Sequence, residues 1–169
     1  MSEPALTPHV DSLARQRVGV TVQYIKDLSF EVPGAPDIYV TIRDQPRISV
    51  KLDVSARPVT RRDASHEVTL TLHVEAISAK APAGGAVPPP VEFIAELSYA
   101  GLFSVDNIPA DAVEEALQVE CPHILYPFAC NILADLTRDA NFPPIQLQAV
   151  DFVQHWQNRS AQKIPPGPR

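Results

Sequence analysis

Several features common in enzymes are missing from this sequence of 169 residues. None of its histidines has the His-x-x-x-His or His-Glu-x-x-His spacing of a metal site. The sequence also has no Gly-rich phosphate loop and no Gly-x-Ser-x-Gly turn. Metal, nucleotide and serine-hydrolase chemistry are therefore without support, and we expect a protein that is not an enzyme and needs no cofactor.

Cysteine and long apolar runs are also scarce. The two cysteines, Cys121 and Cys130, would lie on opposite faces of a helix, so neither a disulfide nor a shared metal ion is expected. No apolar run approaches the roughly 20 residues that cross a bilayer, and the first residues lack the layout of a signal peptide. We therefore expect a cytoplasmic protein that does not insert directly into a membrane.

The net charge of −6 disfavours nucleic acid as a partner and makes a basic partner easier to accommodate. The chain is 45% hydrophobic, which is enough for one domain with a core. Its 18 prolines cluster at the ends and in connecting segments, where they punctuate a folded domain. We predict a flexible arm over 1–17, one domain over 18–157, and a disordered, proline-rich, basic tail over 158–169.

Four segments alternate apolar and polar residues with the period of a β-strand. Because they follow one another with short connections or a hairpin loop, we predict a four-stranded antiparallel meander with one buried face. The first predicted strand begins at Val18, and the other three cover Arg47–Ser55, His66–Ala79 and Val91–Phe103. In the first, Val18, Val20, Val22, Tyr24, Leu28 and Phe30 share one face; in the last, Phe93, Ala95, Leu97 and Tyr99 are predicted to serve packing or assembly.

Helices are predicted for the rest of the chain, which makes the fold class α+β. A short helix over Asn107–Val119 precedes a long one over His123–Asp139, whose start near Ile124 would place Pro127 in the first turn, where proline is tolerated. Asn141 can end this helix in a left-handed conformation. A weaker amphipathic segment over Gln146–Gln157 is predicted to form a C-terminal helix.

The polar face of the predicted sheet is acidic. It carries Asp27, Glu31, Glu67, Glu75, Glu92 and Glu96, which only Lys51 and His73 partly balance. An acidic protein often has such a solvated face without any further role. Ile94 lies among these charges and would suit an apolar anchor within an acidic ring. A second unusual feature is an apolar connection at 37–44, DIYVTIRD, together with FPPIQL at 142–147, although either segment could simply close the core.

Three motifs carry a resemblance to a known family. The runs CPHILYPFA at 121–129, NFPPIQLQAVDF at 141–152 and YIKDLSFEVP at 24–33 are similar to segments of the SecB family of protein-export chaperones. The resemblance extends from about Val18 to Trp156. One departure lies before the second strand, where the family often has a tryptophan and this chain has Ile42-Arg43-Asp44-Gln45.

The resemblance implies a homotetramer, built as a dimer of dimers, that holds secretory preproteins unfolded and delivers them to SecA. In the family, acidic residues and one apolar residue bind the basic, zinc-binding C-terminal tail of SecA, and the matching positions are Asp27, Glu31, Ile94 and Glu96. Grooves between the sheet and its connecting segments hold the unfolded chain; the candidates are Ile38, Tyr39, Val50, Leu52 and Phe142. Holding a client in this way needs neither ATP nor a metal ion.

Two alternatives remain open from the sequence. A SecB-like chaperone could serve a toxin–antitoxin pair, which a neighbouring gene pair would reveal. More remotely, an antiparallel sheet covered by helices could bind a small molecule, and a deep enclosed pocket with converging polar groups would favour that function.

Overall fold

The computed structural model describes residues 18–41, 45–60, 65–79, 89–105 and 108–163. Four strands are followed by helices, which confirms the α+β class. The strands are β1 (Gly19–Glu31), β2 (Arg47–Pro58), β3 (Ser65–Ile77) and β4 (Val91–Ser104); one helical turn, α1 (Ile38–Thr41), lies between β1 and β2. The predicted arm over 1–17, the hairpin loop over 80–88 and Ile42, Arg43 and Asp44 lie outside the described residues.

The strands form one antiparallel sheet in the order β1-β4-β3-β2. The predicted meander is therefore correct for β2, β3 and β4 but wrong for β1, which pairs with β4 instead of β2. The connection that contains α1 is long enough to carry the chain past the two central strands to the far edge. As a result, β1 and β2 are the two edges of the sheet.

One side of the sheet, here called the helical side, forms the core. The predicted alternation in β3 and β4 is confirmed there, since opposite residues of an antiparallel pair point to the same side. Val68, Leu70, Leu72, Val74, Phe93, Ala95, Leu97 and Phe103 are nearly or fully buried. A Cβ atom at Gly101 would lie only 2.7 Å from Cε2 of Phe103 and 3.1 Å from Cδ2 of Leu125, so the absence of a side chain lets the helices approach the sheet closely.

Strand β1 does not keep the strict alternation predicted for it. Its pairing with β4 shifts between Val20 and Val22 and again between Ile25 and Asp27, which indicates two β-bulges. Between the shifts, Val22 and Tyr24 pair with Leu102 and Ala100 of β4, on the side opposite the helices. The prediction that Val22 and Tyr24 share a face with Val20, Leu28 and Phe30 is therefore wrong. The second shift restores the original parity, so Leu28 and Phe30 return to the helical side.

Glu92 also departs from its predicted place on a solvated face. The pairing of β3 with β4 shifts between Ala76 and Ile77, and Glu92 is the residue of β4 that this irregularity leaves unpaired. Its side chain is 2% exposed, and burial raises the pKa of its carboxyl, against a smaller lowering by a hydrogen bond from Ser78. Glu92 therefore does not contribute to an acidic surface.

The two predicted helices before residue 140 are joined into one continuous helical segment. It consists of α2 (Val113–Glu115), a π-helical turn (Ala116–Glu120) and α3 (Cys121–Asp139). The predicted start near Ile124 is thus wrong, and Pro127 lies inside α3. Pro122, in the first turn of α3, has no N–H to donate, and we attribute the local widening into a π turn to this missing hydrogen bond.

The end of α3 agrees with its prediction. Asn141 has a φ of 64°, in the left-handed region. The amide of Phe142 donates to the carbonyl of Thr137 at 2.9 Å and that of Asn141 to the carbonyl of Arg138 at 3.0 Å, the two bonds of a Schellman motif. The chain therefore reverses sharply and brings Phe142 back against the sheet.

The last helix begins later than predicted. The chain is extended over 143–150, and α4 covers Phe152–Lys163. Asp151 begins it, since its Oδ1 accepts the amide of Gln154 at 3.0 Å. Because α4 includes residues 158–163, the predicted disordered tail began too early; its remainder, 164–169, lies outside the described residues. None of the helices within the described ranges is both long and apolar enough to cross a membrane.

Candidate functional site

The register of β1 on β4 brings four predicted site residues together on the side of the sheet opposite the helices. Glu31 lies directly opposite Ile94, and Ser29 lies opposite Glu96. Asp27 pairs with Ser98, so it is diagonal to Glu96. We call Asp27, Glu31, Ile94 and Glu96 the acidic patch. Their adjacency depends on the observed pairing of β1 with β4, because β2 and β3 would separate these two strands in a simple meander.

The acidic patch is exposed and has an apolar centre. Asp27, Glu31 and Glu96 are exposed, while Ile94 is half-buried. Ile94 pairs with Glu31 on one side and with Glu75 of β3 on the other, so carboxylates flank it across the sheet. Asp27 and Glu31 are about 14 Å apart along the strand, which suits two separate cationic groups and is too far for a paired acid and base.

Glu96 has a partner within the protein. Its Oε1 lies 2.8 Å from Nδ1 of His73, on the neighbouring strand β3. His73 in turn is opposite Lys51 of β2. A cationic ligand that binds Glu96 must therefore compete with or accommodate the imidazole of His73.

Glu67 is predicted to contribute to the acidic surface, but it is 4% exposed, and basic side chains balance the charge of its carboxylate. Its carboxylate accepts hydrogen bonds from the Tyr24 hydroxyl, from Lys26 Nζ at 2.9 Å and from Arg57 Nε. The hydrogen bond from Arg57 is the main cause that lowers the pKa of Glu67 to about 2, although burial opposes it. We call Tyr24, Lys26, Arg57 and Glu67 the Glu67 cluster. It ties the two edge strands to β3 at the far end of the sheet from Ile94.

On the helical side, a groove runs between the edge strand β2 and the extended segment that follows α3. One part, of about 360 Å³, is lined by Pro46, Ile48, Phe93 and the chain from Phe142 to Gln146. The next part, of about 500 Å³, is lined by Ile48, Val50, Leu52, Tyr126 and the chain from Gln146 to Val150. The two parts share Ile48 and Gln146, so they form one continuous channel along β2 that we call the β2 groove.

Aromatic rings form one end of this groove. The rings of Phe93 and Phe142 are 5.0 Å apart, Phe30 lies 5.3 Å from Phe93, and Tyr39 lies 5.5 Å from Phe142. The Tyr39 hydroxyl also donates to the carbonyl of Ala140 at 3.1 Å. Tyr39 thus supports the groove through Phe142, whereas Ile38 is 7% exposed and is not among the residues that line it.

The inner wall of the β2 groove is anchored to α3 by one buried hydroxyl. Thr137 is 1% exposed, and its Oγ1 accepts the amide of Ile145 at 3.1 Å while it donates to the carbonyl of Leu133 at 3.0 Å. The hydroxyl therefore bonds the helix as a donor and the extended segment as an acceptor. This contact fixes the segment from Phe142 to Ile145 relative to the helix.

Neither cysteine is poised for chemistry. Both are free, and burial raises the pKa of the Cys121 thiol to about 12 and also raises that of Cys130. Across the described ranges, no group of three His, Cys, Asp or Glu side chains could hold a metal ion.

The structure places the other predicted residues as follows. Val50 and Leu52 line the β2 groove, as does Phe142. Phe93, Ala95, Leu97 and Tyr99 are buried in the core, while their role in assembly stays a prediction. The candidate residues named from the sequence do not include Ile48, Val150, Ile145 and Leu147, which also line the groove. The last two belong to the apolar run FPPIQL noted above, and Ile48 could have been inferred because it alternates with Val50 on the same strand.

Comparison with known proteins agrees with this arrangement. The family model described as "Preprotein translocase subunit SecB" matches residues 11–163. The chain belongs to the SecB family. It is 45% identical over 166 residues to the protein-export protein SecB of Granulibacter bethesdensis, covering 96% of this chain and 95% of that protein. It is 49% identical to the SecB protein of Acidiphilium cryptum, covering 85% of this chain and 89% of that protein.

A solved structure shares the SecB-like fold. It is a SecB-like chaperone of Mycobacterium tuberculosis in complex with a ChAD peptide from the HigA1 antitoxin. The TM-score is 0.61, and the match covers 79% of this chain and 91% of the other. Because the two sequences are only 14% identical, this similarity concerns the fold and not the choice of partner.

Proposed function

We propose that this SecB-family protein is a chaperone of protein export that holds secretory preproteins unfolded and delivers them to SecA. The observation that carries the proposal is the presence of two distinct surfaces on one sheet. The β2 groove is elongated and combines apolar side chains with polar surface, which suits an extended client chain, whereas the acidic patch on the opposite side suits a basic partner. A protein with both surfaces can bind client and SecA at the same time.

The β2 groove is suited to unfolded chains because the apolar side chains on both of its walls can contact many different client sequences. Aliphatic side chains of β2 form one wall, and the segment from Phe142 to Val150 forms the other. Apolar burial stabilises a complex by about 25 cal/mol per Å² and does not depend on a specific client sequence. Client release then requires only a competing event such as transfer to SecA, and we propose that neither ATP nor catalysis is involved.

The acidic patch is the proposed binding site for the C-terminal tail of SecA. Asp27 and Glu31 supply separated charges, Glu96 supplies a third, and Ile94 offers an apolar contact between them. Exposed charges of this kind steer a basic partner toward the patch, and their attraction weakens as salt screens it. The proposed encounter is therefore fast and depends on ionic strength.

We further propose a cytoplasmic homotetramer, arranged as a dimer of dimers. Edge strand β1 exposes 44% of Val20, 44% of Val22, 48% of Ile25 and 38% of Leu28, and α3 exposes 48% of Phe128. An apolar edge strand with free backbone groups is prone to pair with another chain. Light scattering at micromolar concentration should give the mass of four chains, and a stable monomer would contradict the assembly.

The alternatives raised by the sequence receive less support. The relatives at 45% and 49% identity are named as protein-export proteins, whereas the antitoxin complex resembles this chain at 14% identity only. The described concavities are surface channels, which fit an extended chain better than a small molecule.

A pull-down with the zinc-loaded C-terminal tail of SecA tests the proposal. The parent protein should be retained on the tail, and chelation of the zinc should release it. The same preparation should delay the refolding of an unfolded preprotein. Failure to bind the tail under low salt, by a protein that still holds the client, would contradict the delivery step but not the holding step.

A further inference from the structure

The position of the acidic patch depends on the two irregularities of β1. Each bulge inserts one residue that has no partner on β4, namely Thr21 and Lys26. Without them, the pairing of Val20 with Phe103 would continue along the strand until Asp27 lay opposite Glu96 and Glu31 opposite Glu92. Directly opposed carboxylates destabilise a strand pair, and Glu31 would lose Ile94 as its neighbour.

The Glu67 cluster holds the second of these bulges through two residues of β1. Lys26 is the inserted residue itself, and its Nζ lies 2.9 Å from Oε2 of Glu67. Tyr24 precedes the bulge and donates to Oε1 of the same carboxylate. Both side chains reach β3 across β4, where Tyr24 pairs with the small residue Ala100. A single buried carboxylate therefore binds two residues that only the bulged conformation of β1 brings to this side of the sheet.

We propose that Glu67 is a positioning residue for the acidic patch. By binding Tyr24 and Lys26 it fixes the register of β1, which keeps Glu31 opposite Ile94 and Asp27 diagonal to Glu96. The proposal rests on the proposed binding of a basic SecA tail at this patch. It goes beyond it by assigning a role to residues that do not touch the partner. Arg57, the third residue bound to Glu67, is on β2 and donates its hydrogen bond to the carboxylate from that strand.

This difference provides a matched pair of variants. Tyr24→Phe combined with Lys26→Met removes the contacts that Glu67 makes with β1, whereas Arg57→Met removes the contact with β2. Each variant loses one positive charge, so each becomes slightly more attractive to a basic peptide. Weaker binding by the β1 variant therefore cannot arise from the change in net charge.

Binding of the zinc-loaded SecA tail peptide is the first measurement. We expect the β1 variant to bind about tenfold more weakly than the parent and Arg57→Met to stay within about twofold, while both hold an unfolded preprotein as the parent does. Equal peptide binding by the two folded variants would overturn the proposal. If circular dichroism finds the double variant unfolded, Lys26→Met alone, at a residue whose side chain is 42% exposed, takes its place.

Cross-linking reports the register directly and does not depend on SecA. In a Cys130→Ser background, the pair Ser29→Cys with Glu96→Cys should form a disulfide in the observed register. Loss of the second bulge alone would turn Leu28 and Phe30 away from the core, so we expect the first bulge to be lost with it. The resulting slip of two residues should allow a disulfide between Ser29→Cys and Ile94→Cys. We expect the β1 variant to shift cross-linking toward the second pair, and Arg57→Met to retain the first. An unchanged cross-linking pattern in the β1 variant would overturn the inference even if that variant bound the peptide more weakly than the parent. A shifted pattern, in an experiment where the parent itself does not bind the peptide, would contradict only the proposed function.

Discussion

Strand β4 has two sides that differ in almost every respect. On the helical side, Phe93, Ala95 and Leu97 are at most 2% exposed and pack under α3. On the other side, Ile94 is half-buried and Glu96 is exposed, next to charged residues of both neighbouring strands. Under the proposed function, neighbouring residues of one strand serve stability and recognition separately, and substitutions one position apart should have unrelated consequences.

The largest effect is expected on the helical side. Leu97→Glu buries a carboxylate at a site that is 0% exposed, so we expect a loss of about 4 kcal/mol or more in the free energy of unfolding, or failure to fold. Urea unfolding followed by circular dichroism measures this loss. Glu96→Gln is the matched control, and its effect should stay within about 0.5 kcal/mol because the side chain is exposed. A folded Leu97→Glu protein of unchanged mass and stability would show that the burial of this side is wrongly assigned.

The second effect separates recognition from folding. Asp27→Lys with Glu31→Lys should weaken binding of the SecA tail by about a hundredfold at low salt, since each attraction becomes a repulsion. Stability and client holding should be unchanged, because exposed ion pairs contribute about 0–1 kcal/mol. Titration calorimetry at two salt concentrations measures the loss, which should shrink at high salt. Parent-like affinity at low salt would return these residues to an ordinary solvated face.

The third effect concerns acid and the Glu67 cluster. Because the pKa of Glu67 is lowered in the folded protein to about 2, its contribution to stability is fully present above the ordinary glutamate pKa and is lost as the pH falls from about 4.5 toward 2. We expect this contribution to be on the order of 2 kcal/mol. Comparing urea unfolding of the parent and Glu67→Gln at pH 7 and pH 3 measures it. The gap between the two proteins should narrow in acid, and a constant gap would argue against an ionised Glu67.

The smallest effect concerns the β2 groove. Val50 is 43% exposed and lines its middle, so Val50→Asp should cost little stability but weaken the holding of an unfolded client by about tenfold. Binding of the SecA tail should not change, which is the converse of the result for the acidic patch. Delay of preprotein refolding measures the first property and a pull-down the second. Val50→Thr, which keeps the shape, serves as the control.

Much of the fold follows from local pattern. The alternation of Val68, Leu70, Leu72 and Val74 predicts a strand with one buried face. The structure confirms it, since all four side chains are 0% exposed. The end of α3 at Asn141 was likewise predictable, because a left-handed residue followed by two prolines cannot continue a helix. These signals lie within a few residues of the feature that they predict.

What the sequence did not predict depends on contacts between distant residues. The sequence pattern places Tyr24 on one face with Val22 and Leu28, but the hydroxyl of Tyr24 binds Glu67, which is 43 residues away, and the bulge in β1 puts Tyr24 and Leu28 on opposite sides of the sheet. Parity placed Glu67 on the correct side of the sheet but could not reveal that Tyr24, Lys26 and Arg57 bury it there. A bulge changes parity without leaving a distinctive residue pattern.

The helical segments illustrate a second difficulty. Pro127 predicts a helix start, yet packing of the apolar residues on α3 against the sheet outweighs the missing hydrogen bond. The candidate site was recognised mainly by resemblance to a family, since the residues of the acidic patch come from strands that sequence order alone would separate.

Under the proposed binding of clients in the β2 groove, the hydrogen bond between the Ile145 amide and the buried hydroxyl of Thr137 has a consequence for the kinetics of client capture. Because α3 holds this wall in place before any client arrives, the chaperone loses little conformational entropy on binding, and the ordering cost falls on the client alone. Capture can then proceed at a rate limited by encounter, without waiting for the chaperone to rearrange. Competition with folding would be decided by how fast the preprotein buries its own apolar residues.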